Sequence, residues 1–169
     1  MKKTAIIAIA GLATVASADV LLEVDLSVAN TVTITATGGL SAADASASNF
    51  TGYLLAGFYN NADATPAGSG ATGDLSTAAN ASDGTPSLFS SSSSFGLNVW
   101  SFSTDSTVDV TSGEIAFAGS SSWTLDAIDY ADMLAGNTSG DIYFGADTDD
   151  DIASGATLIG TWNVVPAPS

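Results

Sequence analysis

The densest group of chemically capable residues is Asp147-Thr148-Asp149-Asp150-Asp151. It sets Asp147, Asp149 and Asp151 at the first, third and fifth positions of a polar run, as in the calcium loop of an EF-hand or dockerin, and hard cations take oxygen ligands from such turns. The run then departs from that pattern. Ile152 stands where the sharp-turn glycine belongs and Leu158 where the bidentate glutamate belongs. Asp147, Asp149 and Asp151 are therefore calcium-ligand candidates whose alternative is a solvated acidic turn. Asp141 joins them only if the turn folds back.

Two other chemistries survive the composition. Glycoside hydrolysis needs only a pair of carboxylates, yet no spacing among Glu23, Glu114 and the aspartates singles out a pair. Sugar rings stack on aromatic side chains, and Trp100, Trp123, Trp162, Tyr53, Tyr59 and Tyr143 are candidates for an extracellular polysaccharide. Most of them lie in strand-like runs, where an aromatic ordinarily belongs to the core.

What is missing excludes more. The chain holds no His and no Cys, and its only basic residues are Lys2 and Lys3. Beyond them there is no triad base of the usual kind, no thiolate, no Schiff-base lysine and no standard zinc site. The reading is non-enzymatic. All eighteen acidic residues follow position 18, so the segment from Asp19 carries a formal charge of −18 against −16 for the whole chain. Such a surface repels polyanions, which excludes nucleic acid as a partner. That segment can form neither side-chain salt bridges nor disulfides, so packing alone must hold it together.

These residues need a scaffold, and the hydropathy pattern describes one. Leu22, Val24, Leu26 and Val28 alternate with Glu23, Asp25 and Ser27, then Val32, Ile34 and Ala36 alternate with threonines; with Asn30 between them the two runs read as a hairpin. Gly38-Gly39 breaks the second run. The stretch 51–59 is apolar on both faces and reads as a central strand, or as one with Phe58 and Tyr59 at a rim. From 60 to 94 the chain turns to Ala, Ser, Thr, Gly, Asn and Asp, a long loop anchored by Leu75 and Leu88-Phe89 with a short edge strand near Leu88.

Strand character returns with Phe95, Leu97 and Val99 facing one way and Trp100 and Phe102 the other. Val108 with Val110, Ile115 with Phe117, and Trp123 with Leu125 mark three more strands, and turn residues between them argue against parallel βαβ units. A single helix is predicted over 126–135, with Asp126 capping it or sitting in its first turn with Asp129, Ile128, Ala131 and Leu134 on one face, and Gly136 as a left-handed stop. Ile142 and Phe144 begin a further strand, and Leu158, Gly160, Trp162 and Val164 alternate through the closing one. The expected fold is all-β: a single antiparallel β-sandwich, jelly-roll-like, with one short helix, occupying 19–164.

The two ends speak of destination. Lys2 and Lys3 precede an apolar stretch, 4–15, too short to span a bilayer; Ala16-Ser17-Ala18 then supplies the small-x-small pattern of a signal-peptidase site, with cleavage before Asp19. The segment 1–18 thus reads as a signal peptide recognised by export machinery. At the other end stands Val165-Pro166-Ala167-Pro168-Ser169. This resembles the Val-Pro-Glu-Pro-Ser signature of bacterial PEP-CTERM proteins, with Ala167 in place of Glu as in planctomycete-type members. The resemblance implies a sorting signal at 165–169, handled by an exosortase, followed in the family by an apolar membrane helix and a basic tail. This sequence stops before such a helix, so it resembles a truncated member whose only membrane contact would be through that missing C-terminal helix.

Taken together, the expectation is an exported cell-surface or extracellular-matrix protein with a structural or interaction role. Its alternative is a carbohydrate-binding or calcium-binding module.

Overall fold

The computed structural model describes residues 18–68, 71–80, 86–91, 93–100 and 107–165. Ala16 of the cleavage triplet, Phe102, and Pro166, Ala167, Pro168 and Ser169 lie outside the described residues.

The described chain is all-β apart from short helical pieces. In order it forms β1 (Val20–Asp25), β2 (Thr31–Ala36), β3 (Ala45–Ser48), β4 (Tyr53–Leu55), β5 (Ala67–Gly68), β6 (Thr72–Gly73), β7 (Ser76–Thr77), a 3-10 turn (Ala78–Asn80) and β8 (Ser87–Phe89). There follow β9 (Leu97–Trp100), β10 (Thr107–Val110), β11 (Phe117–Ala118), β12 (Ser120–Thr124), α1 (Ala127–Leu134), β13 (Ser139–Phe144), α2 (Asp149–Ala153) and β14 (Thr157–Val164).

Ten strands form one sheet in the order β5-β8-β9-β4-β13-β14-β1-β2-β12-β6, and β3 with β10 and β7 with β11 form two small ribbons. The sheet is mixed. Its β1–β2 hairpin is antiparallel, as the alternation predicts, but β1 and β14 run parallel with Val20 opposite Thr161 and Val24 opposite Val164. The closing strand is thus a central one, hydrogen-bonded to β13 on its other side. An arrangement of one curled sheet and two ribbons replaces the simpler antiparallel pattern expected from the sequence.

The curl brings the two ends of the sheet together. A Cβ placed on Gly68 of β5 would lie 3.4 Å from Cδ1 of Trp123 on β12, near the opposite end. The indole N–H of Trp123 donates to the carbonyl of Pro86, just before β8, at 2.8 Å. Inside the curl, Leu22, Val24, Val32, Ile34, Tyr53, Leu55, Phe117, Trp123 and Trp162 belong to one buried cluster. The ring centroids of Tyr53 and Phe117 stand 4.7 Å apart, which seats the β7–β11 ribbon against the main sheet.

Several expectations shift in detail. The loop 60–94 does carry Leu75 and Leu88 into the core, but it also builds short strands; β8 lies between β5 and β9 rather than at the edge. Phe58 and Tyr59 are buried, which decides against a rim position. Alternation in β14 fails at its start because a bulge leaves Ile159 without a directly opposed residue on β13: Ile142 faces Gly160 while Tyr143 faces Leu158. Ile159 consequently turns inward and Leu158 outward.

The helix α1 forms where expected, with the Asp126 carboxylate accepting from the backbone N–H groups of Ile128 and Asp129 at 2.8 and 2.9 Å. Its packing face is a different one. Ile128 and Leu134 are 74 % and 57 % exposed, whereas Met133 is buried and Tyr130 donates its hydroxyl to the carbonyl of Leu26. The polar anchor of Tyr130 rotates the helix away from the orientation that apolar spacing alone favours. Nor is Gly136 left-handed. It is needed because a Cβ there would stand 2.5 Å from the carbonyl oxygen of Phe58.

Candidate functional site

The acidic run that opened the sequence folds as a short polar bend leading into α2, a five-residue helix with Thr148 at its N-cap. Its three candidate ligands do not converge on one point. Asp149 Oδ2 accepts from the backbone N–H of Phe95 at 2.6 Å, tying α2 to the entry of β9, while Asp151 Oδ2 accepts from the N–H of Asp147 at 3.0 Å. Asp147 and Asp151 also share a side-chain hydrogen bond. Burial, that bond and the Asp151 charge hold the Asp147 carboxyl above the usual range. Asp151 is held below it, chiefly by the donated N–H of Asp147. Among the described residues, no group of three or more His, Cys, Asp or Glu side chains gathers around a common metal position.

Asp141 shares a groove with the first residue of α2. It projects from β13, opposite Thr161 on β14, and with Asp149 it lines an open groove of about 620 Å³. The groove runs between β13, α2 and the segment leading into β9, with Phe95, Tyr143 and Ile152 as its apolar walls. Its floor is backbone. A Cβ on Gly140 would stand 2.4 Å from the carbonyl oxygen of Ala56, so only glycine permits this close approach of β13 to the turn after β4. At the rim, Asn137 donates its Nδ2 hydrogens to the carbonyls of Gly57 and Tyr59, and its own N–H to Phe58 at 2.8 Å.

No family model, curated protein or solved structure matches this chain. Its own residues carry the functional argument.

Of the six aromatics considered as sugar platforms, Trp123, Trp162, Tyr53 and Tyr59 are buried in the core. Trp162 donates its indole N–H to the carbonyl of Ala56 at 3.3 Å and lies 5.0 Å, centroid to centroid, from Phe58. Trp100 and Tyr143 are half-buried, and of these two Tyr143 lines the groove. Phe95, placed on one face with Leu97 and Val99 by their alternation, does not share their burial: it is 45 % exposed and forms a wall of the groove. It lies just outside β9, where period-two reasoning no longer applies.

Four further carboxylates show a common use. Asp19 accepts from Leu40 N–H at 2.9 Å, Asp44 from Ser112 N–H at 2.8 Å, and Asp74 from Ser120 N–H at 3.0 Å. Asp25 accepts from the N–H of Ser27 at 2.7 Å, which lowers its pKa. Without basic side chains to pair with, these aspartates tie loops and strand ends to backbone amides.

The ends of the described fold meet the two sequence signals. The carbonyl of Asp19 accepts from both the N–H and the hydroxyl of Thr161, so the sheet reaches back to Asp19. Val165 donates its N–H to the carbonyl of Val24 at 2.9 Å. Ala18 lies immediately before this hydrogen-bonded body. Among the described residues no helix is long and apolar enough to cross a membrane.

Proposed function

We propose that this protein is an exported, non-enzymatic structural or interaction domain of a bacterial cell surface or extracellular matrix. The observation that carries this reading is the employment of its carboxylates. Asp19, Asp25, Asp44, Asp74, Asp126, Asp149 and Asp151 each accept a backbone N–H. Acid chemistry is the main catalytic resource left to a chain without Cys or His, and here seven of the eighteen acidic side chains are engaged in holding loops and caps. Support for export comes from the basic-apolar-small order of 1–18 and from the sheet hydrogen bonds that begin at Asp19. Support for a sorting signal comes from the five residues Val165 to Ser169, which follow directly on β14.

The reading is tested by mass spectrometry of the protein recovered from fractions of the producing cells. The expected species begins at Asp19 and sits in the envelope or the medium. Recovery from the cytosol of a chain that still carries 1–18 overturns it.

A further inference from the structure

The groove beside α2 combines two surfaces that suit one kind of ligand group. Its apolar walls include the exposed ring of Phe95 and the half-buried ring of Tyr143. Its carboxylates are Asp141, which is exposed, and Asp149, whose Oδ2 is tied to Phe95 N–H while Oδ1 is left for another donor. Because Asn137 turns its Nδ2 donors to the carbonyls of Gly57 and Tyr59, its amide oxygen adds a further acceptor. The groove therefore offers aromatic rings, the acceptor oxygens of Asp141, Asp149 and Asn137, and the hydroxyls of Ser139 and Tyr143, which can accept as well as donate; no Lys, Arg or His beyond Lys3 exists to neutralise it from within.

We propose that this groove docks an arginine side chain of a basic polypeptide segment. Charge complementarity selects a cation, because a body of −18 formal charge concentrates positive ligands at its surface. Hydrogen bonding selects a group made only of donors, which a guanidinium is and a sugar hydroxyl is not. Planarity selects arginine over lysine: a guanidinium stacks flat on Tyr143 or Phe95 while its edge donors reach the carboxylates of Asp141 and Asp149. A groove of about 620 Å³ admits the side chain together with its flanking backbone. A neutral oligosaccharide would also stack on the rings, but it gains nothing from the field and is the rival that the experiment separates.

The purified protein is titrated calorimetrically at low salt with three probes: acetyl-Gly-Arg-Gly-Arg-Gly-amide, its lysine counterpart of equal charge, and chitohexaose. The arginine peptide is expected to bind at least about fivefold more tightly than the lysine peptide, and chitohexaose to bind more weakly than either. Asp141→Asn is expected to weaken the arginine peptide by about tenfold, whereas Glu114→Gln, an equal change of charge at an exposed position outside the groove, changes it by less than about twofold. Tyr143→Leu should narrow the gap between the two peptides; folding of each variant is verified by its melting transition. Equal affinity for the two peptides, equal effects of Asp141→Asn and Glu114→Gln, or a preference for chitohexaose overturns the proposal.

Discussion

Asp147 and Asp151 have the same side chain, lie four residues apart, and respond to folding in opposite directions. Asp151 and Asp25 accept backbone N–H groups and are held below the usual carboxylate range. Their stabilisation is present above the unfolded-state value and fades as pH falls through the lowered folded one. Asp147 is raised, so the fold favours its protonated form; that contribution is complete below about 3.8 and is lost as pH climbs through the raised value. Asp147→Asn removes a desolvated charge facing another carboxylate. It is expected to raise stability at neutral pH by up to about 0.5 kcal/mol, the small size reflecting solvent screening. At about pH 3, where Asp147 is protonated in both states, the variant and the parent should differ little. Urea denaturation at the two pH values checks this, and an equal gain at both would refute the electrostatic cause. The sequence foretold that these acids would find no basic side chain to pair with, yet not which amides would take its place. Asp149 meets Phe95 across 54 positions, and no local pattern records such a partner.

The elements most legible in the sequence were those whose local period agreed with their surroundings. Both strands of the β1–β2 hairpin and the Asp126 cap of α1 appear where alternation and capping chemistry assign them. What escaped was set by distant contacts: the parallel seam of β1 on β14, the bulge at Ile159, and the turn of α1 around Tyr130. The near-closure of the sheet is another such feature, and Trp123 is one of its fastenings, beside Leu125. Its ring packs beside Gly68 and its N–H crosses to the carbonyl of Pro86. Trp123→Phe keeps an aromatic ring but removes that donor and part of the packing. The expected cost is about 1–3 kcal/mol, combining a lost hydrogen bond to a buried carbonyl with incomplete filling of the site. Trp162→Phe serves as the comparison, since its bond to Ala56 is longer, at 3.3 Å, and should contribute less. Equilibrium denaturation of both variants tests the ranking; a smaller loss for Trp123→Phe would mean that the sheet ends are held by other contacts.

At the scale of the whole molecule the dominant fact is charge of a single sign. In most proteins added salt weakens attractive ion pairs while it screens repulsion, so the net effect has no fixed sign. From Asp19 onward this chain has no side-chain ion pair to lose. Its aspartate ties to backbone amides are short contacts that salt screens little, whereas repulsion among eighteen carboxylates acts over the Debye length. That length is about 30 Å at 0.01 M and about 3 Å at 1 M. Raising NaCl across this range should therefore raise the melting temperature monotonically, by several degrees if about 2 kcal/mol of repulsion is relieved. The same experiment separates screening from coordination. With Asp149 and Asp151 turned to different amides, CaCl2 and MgCl2 at matched ionic strength should give the same melting midpoint. A rise specific to Ca²⁺ would mean that Asp147, Asp149 and Asp151 abandon these ties and converge on the ion, because a ligand stabilises only a state that it binds preferentially.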